Sequence, residues 1–290
     1  MAREQYRDHR FQRRTLERYV EPAIAILSDY AARDFTLTVR QLYYQFIARN
    51  WLPNTSNSYT NLAWAMTNGR DAGLIDWDAI EDRSRAIQRV TTWENPAEIL
   101  ADAARWYKED LWATQPRYIE VWVEKDALSG IFEQVCADYR LPLYPHRGHD
   151  STSMIRAAGV RLARKIEFGF DPLILSFSDH DVAGLDMRRD IEERLEMYTR
   201  QPVEVRVLGL TRDQVAQYNL PPNFAKETDK RYAAYVREHG PHCWELDALS
   251  PEVFDRLVRD GVEAKLDHDA WRRALAREQR NRRKLAPKRG

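Results

Sequence analysis

Tyr118-Ile119-Glu120-Val121-Trp122-Val123-Glu124 and, later in the chain, Pro172-Leu173-Ile174-Leu175-Ser176-Phe177-Ser178-Asp179-His180-Asp181 are two mainly apolar runs that each end in acid. Short apolar runs of this kind read as strands. Each is followed by a helical stretch, the first to about Arg140 and the second to about Tyr198. Leu141 to Tyr144 and Val203 to Leu208 read as further strands, and Ser151 to Phe168 as a further helix. Strands alternating with helices predict an α/β domain with a mostly parallel sheet.

An open parallel sheet binds its ligands outside the carboxyl ends of its strands. Glu124, Asp179 and Asp181 all fall at that edge. Asp179 and Asp181 are two residues apart, so in extended backbone they project to one side and His180 to the other. Gly184 stands where the chain turns into the next helix. Three converging carboxylates suit Mg²⁺, a hard cation that takes one or two carboxylates and keeps waters for phosphate oxygens to replace. Mn²⁺ is the natural substitute. Asp181 also fits the simpler role of capping the helix that follows.

Residues before the first strand have a different pattern. Phe11 to Ala32, Thr38 to Asn50 and Tyr59 to Ala72 have helical periodicity, with Thr38 as an N-cap and Gly73 as a stop. Ile75 to Arg89 has no helical period and leaves room for a short hairpin, which together suggests a winged helix-turn-helix. Trp51, Trp64 and Trp77 are expected in its core. Asn95 to Trp112 reads as one more helix. Trp244 to Leu249 alternates apolar and acidic residues, as a strand with one buried face does, and Glu245 and Asp247, on one side of it, read first as a surface ladder and otherwise as support for a site or a dimer edge. The expected division is an N-terminal, mostly helical domain over 1–113 and an α/β domain over 117–290. On the helix from Thr38, Val39, Leu42, Tyr43, Phe46 and Ile47 form an apolar stripe. Tyr44 lies away from that stripe and is expected to face outward, with Arg40 one turn before it on the same side. An outward tyrosine beside an arginine has the parts of a phosphotransfer nucleophile, and it is equally an ordinary amphipathic surface tyrosine.

Glu124-Lys125-Asp126-Ala127-Leu128 followed by Asp179-His180-Asp181-Val182-Ala183-Gly184 resembles the Toprim pattern, a glutamate after one strand and Asp-x-Asp after a later one. Thr38-Val39-Arg40-Gln41-Leu42-Tyr43-Tyr44 resembles the nucleophile motif of the topoisomerase VI A subunit and Spo11 family, in its short, Mini-A-like form. The order of the two motifs agrees with that family. The resemblance implies a winged helix followed by a Toprim domain. It places Tyr44 as nucleophile, Arg40 as its supporting arginine, and Glu124, Asp179 and Asp181 as Mg²⁺ ligands. Lys125 follows the glutamate as in many members, and Arg147-Gly148-His149-Asp150-Ser151 is similar to the glycine-containing loop between the strands. Lys125, Arg147 and, on the third helix, Arg70 are the expected DNA contacts. The implied reaction is transesterification of double-stranded DNA, leaving Tyr44 joined to a 5′ end. The implied assembly is a homodimer in which Tyr44 of one protomer serves the metal site of the other. No ATPase motif is visible, so a B-type ATPase subunit would be a separate chain. A Toprim-type hydrolytic nuclease and a non-catalytic DNA-binding protein are the alternatives.

Bulk properties bound these readings. The chain has 290 residues, 43% hydrophobic and 31% charged, with zero formal net charge. The charge is unevenly spread. From Trp271 to Gly290 there are nine Lys or Arg and one acid, Glu278, and the first twenty residues hold six Arg against three acids. Basic ends on a neutral body suit arms that meet phosphate. Cys136 and Cys243 form neither a disulfide framework nor a metal-ligand spacing. No apolar run approaches the ~20 residues that span a bilayer. The expectation is a cytoplasmic protein, nucleoid-associated in a prokaryote, with no membrane partner.

Overall fold

The computed structural model describes residues 5–81, 92–146 and 152–285. Four parallel strands form the central sheet: β1 (Arg117–Val123), β2 (Leu143–Pro145), β3 (Asp171–Phe177) and β4 (Glu204–Gly209), in the order β2-β1-β3-β4. This is the α/β architecture that the alternating pattern predicts. Register places Glu120 opposite Ile174 and Val123 opposite Phe177. Glu124 therefore follows β1 level with the end of β3, and its backbone N–H still donates to the Phe177 carbonyl at 2.9 Å.

Alternation along β1 sends Ile119, Val121 and Val123 to one face and Tyr118, Glu120 and Trp122 to the other. The first face packs against α6 (Ser129–Tyr139) and α11 (Pro251–Glu263), through Phe132, Val135, Phe254 and Val258. The second packs against α7 (Thr152–Glu167) and α8 (Val182–Thr199), through Ile155, Leu162, Ile191 and Leu195. Both faces are covered, which is why the strands read as unbroken apolar runs.

The N-terminal part has its own core. A one-turn helix α1 (Arg13–Thr15) leads through a π-helical segment (Leu16–Val20) into α2 (Glu21–Ala31). Then come α3 (Val39–Ala48) and α4 (Ser56–Asp71). Thr38 caps α3 in a reciprocal capping box with Gln41, as its position predicts. Gly73 has a φ of 70°, the left-handed conformation that ends a helix. Leu42, Phe46, Leu62 and Met66 are fully buried here. In place of the start of a hairpin, residues 75–81 hold a 3₁₀ turn (Trp77–Ala79) and one parallel bridge, Leu37 to Ile80. The rest of the expected hairpin lies outside the described residues, as does Arg147.

Three expectations are corrected. Trp51, Trp64 and Trp77 are 48%, 50% and 42% exposed, not core. Each instead lies against neighbouring side chains: Trp64 on His9 and Phe11, Trp77 under the Arg70 guanidinium, and Trp51 beside Phe46 and Arg49. The helix expected over Asn95 to Trp112 stops early, as α5 (Pro96–Trp106), with a 3₁₀ turn at Leu111–Thr114. The break follows from the Glu109 N–H, which donates to Glu278 at 2.7 Å. Glu278 lies on α12 (His268–Leu285), and α5 packs on that helix. The alternating stretch from Trp244 to Leu249 is not a strand throughout. Only Trp244 pairs, with His180, and Leu246–Ala248 is a 3₁₀ turn.

Short elements complete the chain: α9 (Arg212–Gln217), the two-stranded ribbon β5 (Asn223–Phe224) with β6 (His242–Cys243), and α10 (Tyr232–His239) between them. No helix among the described residues is long and apolar enough to cross a membrane.

Candidate active site

The end of β3 organises the site. Past Phe177 the chain runs straight into Asp179, His180 and Asp181, and α8 starts at Val182. His180 exchanges both backbone hydrogen bonds with Trp244, at 2.9 and 3.0 Å. That bridge brings Glu245, Leu246 and Asp247 alongside Asp179, whose Oδ1 accepts from the Leu246 N–H at 2.7 Å. Glu124 Oε2 accepts from the Asp179 N–H at 2.8 Å. Asp181 Oδ1 accepts from the Gly184 N–H at 2.7 Å, so it does cap α8. The His180 ring lies away from the acids, against Tyr235, His239 and Trp244.

Gly184 has a different role from the turn expected of it. A Cβ built there would lie 2.3 Å from the Asp179 carbonyl oxygen. The residue must be glycine so that the first turn of α8 can close over the Asp179 backbone.

Lys125 is enclosed by acid. Its Nζ lies 2.6 Å from Asp247, 3.0 Å from Asp179 and 3.3 Å from Glu245. Burial opposes the ammonium charge, but Asp247, Asp179 and Glu245 outweigh it and raise the Lys125 pKa. Lys125 acts on Glu124 too, but more weakly than the groups that oppose ionisation there. Burial first, then the Asp179 charge, push its carboxyl well above the usual range. Burial raises the Asp179 pKa as well, although Lys125 and the Leu246 N–H pull against it.

Arg40 and Tyr44 approach from α3. Arg40 makes a forked ion pair with Glu245, its Nε 2.7 Å from Oε2, and its guanidinium lies 5.8 Å from the Tyr44 ring centre. Tyr44 does not face solvent. It is 2% exposed, and its hydroxyl accepts from Asn223 Nδ2 at 3.2 Å. Tyr44 packs with the N-terminal core, its ring edge-on to Tyr43, and Asn223 of the ribbon closes on its hydroxyl. Burial and the Glu245 charge push the phenol pKa up, against the Asn223 bond and Arg40.

Most of these residues border one cleft of about 1200 Å³, but Tyr44, buried behind Arg40 and Asn223, does not line it. Arg40, Glu124, Lys125, Asp179 and Asp181 line it, and so does Arg70, which is 8% exposed with its guanidinium 4.8 Å from the Trp77 ring centre. Sequence reading identified the acids of the two strand ends. It did not assign Asn223 to the site, and it read Glu245 and Asp247 first as a surface ladder. Asp247 is 2% exposed and both acids hold Lys125. Their two-residue spacing, which puts them on one side, was the available signal.

Among the described residues, no three His, Cys, Asp or Glu side chains form a ready-made metal-binding group. The charge balance nevertheless fits a cation. The cleft is lined by eight acids (Glu81, Glu124, Asp126, Asp179, Asp181, Asp229, Glu245, Asp247) and four bases (Arg40, Arg70, Lys125, Lys226). One or two carboxylates with water suffice for Mg²⁺. The raised Glu124 carboxyl marks a place where added positive charge would be stabilising.

No family model, no curated protein and no solved structure matches this chain.

Proposed function

We propose that the chain is a DNA-cleaving transesterase of the winged-helix and Toprim type, resembling the topoisomerase VI A subunit. The observation that carries this reading is the meeting of Arg40 from α3 with Glu124, Lys125, Asp179 and Asp181 in one cleft. Glu124, Asp179 and Asp181 would hold Mg²⁺, which when bound would neutralise charge on a phosphate and its leaving oxygen. Lys125 holds Asp179, Glu245 and Asp247 together against their mutual repulsion. Arg40, turned by Glu245, is placed to meet developing phosphate charge. Tyr44 is the nucleophile. Arg70 and Lys226 offer positive charge to the DNA backbone within the cleft. Each chain has one Tyr44 and cuts one strand, so a double-strand break takes a homodimer. Strand passage would need a separate ATPase chain.

Hydrolytic cleavage, with water as nucleophile, is the second reading. The burial of Tyr44 favours it. A denaturant-quenched assay on supercoiled plasmid with Mg²⁺ or Mn²⁺ separates the two. The transesterase yields broken DNA covalently attached to protein, and both Tyr44→Phe and Glu124→Ala abolish it. Breakage without attached protein that persists in Tyr44→Phe establishes the hydrolase.

A further inference from the structure

A chain of amide hydrogen bonds with a fixed direction reaches the Tyr44 hydroxyl. Asn54, in the turn between α3 and α4, donates from Nδ2 to Asn223 Oδ1 at 2.7 Å and to the Pro222 carbonyl at 3.1 Å. The Pro222 carbonyl can only accept, so the end of the Asn54 amide that faces it is the NH₂. The Asn223 oxygen is therefore the end turned to Asn54. Reversing Asn223 would set two NH₂ groups face to face. Its nitrogen is left facing Tyr44 Oη at 3.2 Å, and an amide nitrogen can only donate.

We propose that Asn223 is a positioning residue for Tyr44: it anchors the phenol oxygen by a neutral donor and leaves the hydroxyl proton turned away from itself, free to depart. This rests on Tyr44 being the nucleophile. In that reaction the bond from Tyr44 oxygen to phosphorus forms as the bond from phosphorus to the 3′ oxygen breaks. The phenol loses one proton and the 3′ oxygen gains one. Electrons and atoms balance without a co-reactant.

The surroundings explain why a neutral donor is wanted there. The charged groups about Tyr44 are Arg40 on α3, Glu245 just before the 3₁₀ turn and Asp247 on it, and burial, then Glu245 and Asp247, disfavour a phenolate. Arg40, the cation at hand, is already held by Glu245. An aspartate at 223 would add a third negative charge. The Asn223 amide stabilises the developing phenolate at no cost in net charge, and Asn54 prevents it from rotating.

The test uses the full chain labelled with ¹³Cζ-tyrosine, the Tyr44 signal being assigned by its loss in Tyr44→Phe. Asn223→Ala and Asn54→Ala should both shift that signal. Asn54→Ala serves as the second variant because it leaves Tyr44 and Asn223 in place. In the plasmid assay, Asn223→Ala should form the tyrosyl-DNA adduct about tenfold more slowly at neutral pH, the worth of one hydrogen bond to a developing charge. The loss should shrink as pH rises. Replacing Tyr44 by a more acidic fluorinated tyrosine should restore the rate in Asn223→Ala. A purely architectural role predicts a loss independent of pH that fluorination does not repair, and that outcome overturns the proposal. A Tyr44 signal unmoved by Asn223→Ala overturns it too. If the signal moves but the intact protein never forms an adduct, the bond is real, the nucleophile assignment is wrong, and Asn223 positions nothing for the reaction.

Discussion

Gly184 shows how one missing side chain can hold a site together. The Asp179 carbonyl oxygen lies where its Cβ would be. Gly184→Ala must push α8 away from β3 or bend the chain at Asp179. Either movement also strains the Asp181 cap, since Gly184 supplies the N–H that Asp181 accepts. We expect a loss of about 1–3 kcal/mol, typical of overpacking, read from urea denaturation. Cleavage should fall more than stability explains, because Asp179 moves relative to Glu124. Stability equal to that of the unsubstituted chain would show that α8 can shift freely. At this scale the sequence was partly legible. Strand-terminal acids declare themselves because a parallel sheet has only one edge where ligands bind. Glu120 did not. It stands inside an apolar run, yet it is fully buried and holds Arg161, the Tyr118 hydroxyl and the Trp122 indole, at 2.7 to 2.9 Å. Nothing local marks a carboxylate whose partner is one helix away.

Among the elements, α12 depends on one acid. Glu278, 3% exposed, accepts from Arg140 and from the Glu109 N–H, and Arg282 lies beside it. The Arg140 hydrogen bond, outweighing burial, draws the carboxyl down to about 2. A carboxyl depressed in the folded state contributes stability above its unfolded pKa of about 4.3, and that contribution is lost as pH falls toward 2. Urea midpoints measured from pH 5 down to pH 2.5 should therefore fall more steeply for the intact chain than for Glu278→Gln. Parallel slopes would mean that the anchor does not titrate. The elements themselves were legible wherever periodicity had one cause. The sheet strands and α3, α4, α7 and α8 all appear close to their expected places. Periodicity failed where another part of the chain intervened. The Trp244 to Leu249 alternation becomes a turn because the Asp179 side chain takes the Leu246 N–H. Tyr44 was placed outward because a helical wheel sees only the core that its own apolar stripe builds. The second surface, supplied from nearly 180 residues further on, is invisible to it.

For the whole molecule, the seam between the N-terminal core and the sheet domain decides whether Tyr44 can act. The seam is largely polar. Arg33 pairs with Glu252, Arg40 with Glu245, and Asn54 bonds Asn223, while Ala248 is an apolar residue packed against both cores. In this arrangement Tyr44 is buried and does not line its own chain's cleft. To reach a DNA phosphate, or the metal site of a partner protomer, the seam must part at its ion pairs while Asn223 stays bonded to Asn54 and Tyr44. Polar seams part more readily than apolar ones, since water replaces each lost hydrogen bond and the net contribution of one to a charged group is only about 1.5–3 kcal/mol. Removing Glu245 and Arg33 together, as Glu245→Ala with Arg33→Ala, cuts both ion pairs and keeps Tyr44 in the chain, though Arg40 and Lys125 each lose one acidic partner. Calorimetry should then resolve two unfolding transitions where the intact chain shows one. Tyr44, assigned by mass spectrometry, should become open to nitration by tetranitromethane. A single transition with Tyr44 still protected would show that the two cores are one folding unit and that the seam is not where the molecule opens. Transitions that separate with no gain in nitration would place the cover over Tyr44 on the β5–β6 ribbon instead, with Asn223 as its remaining tether.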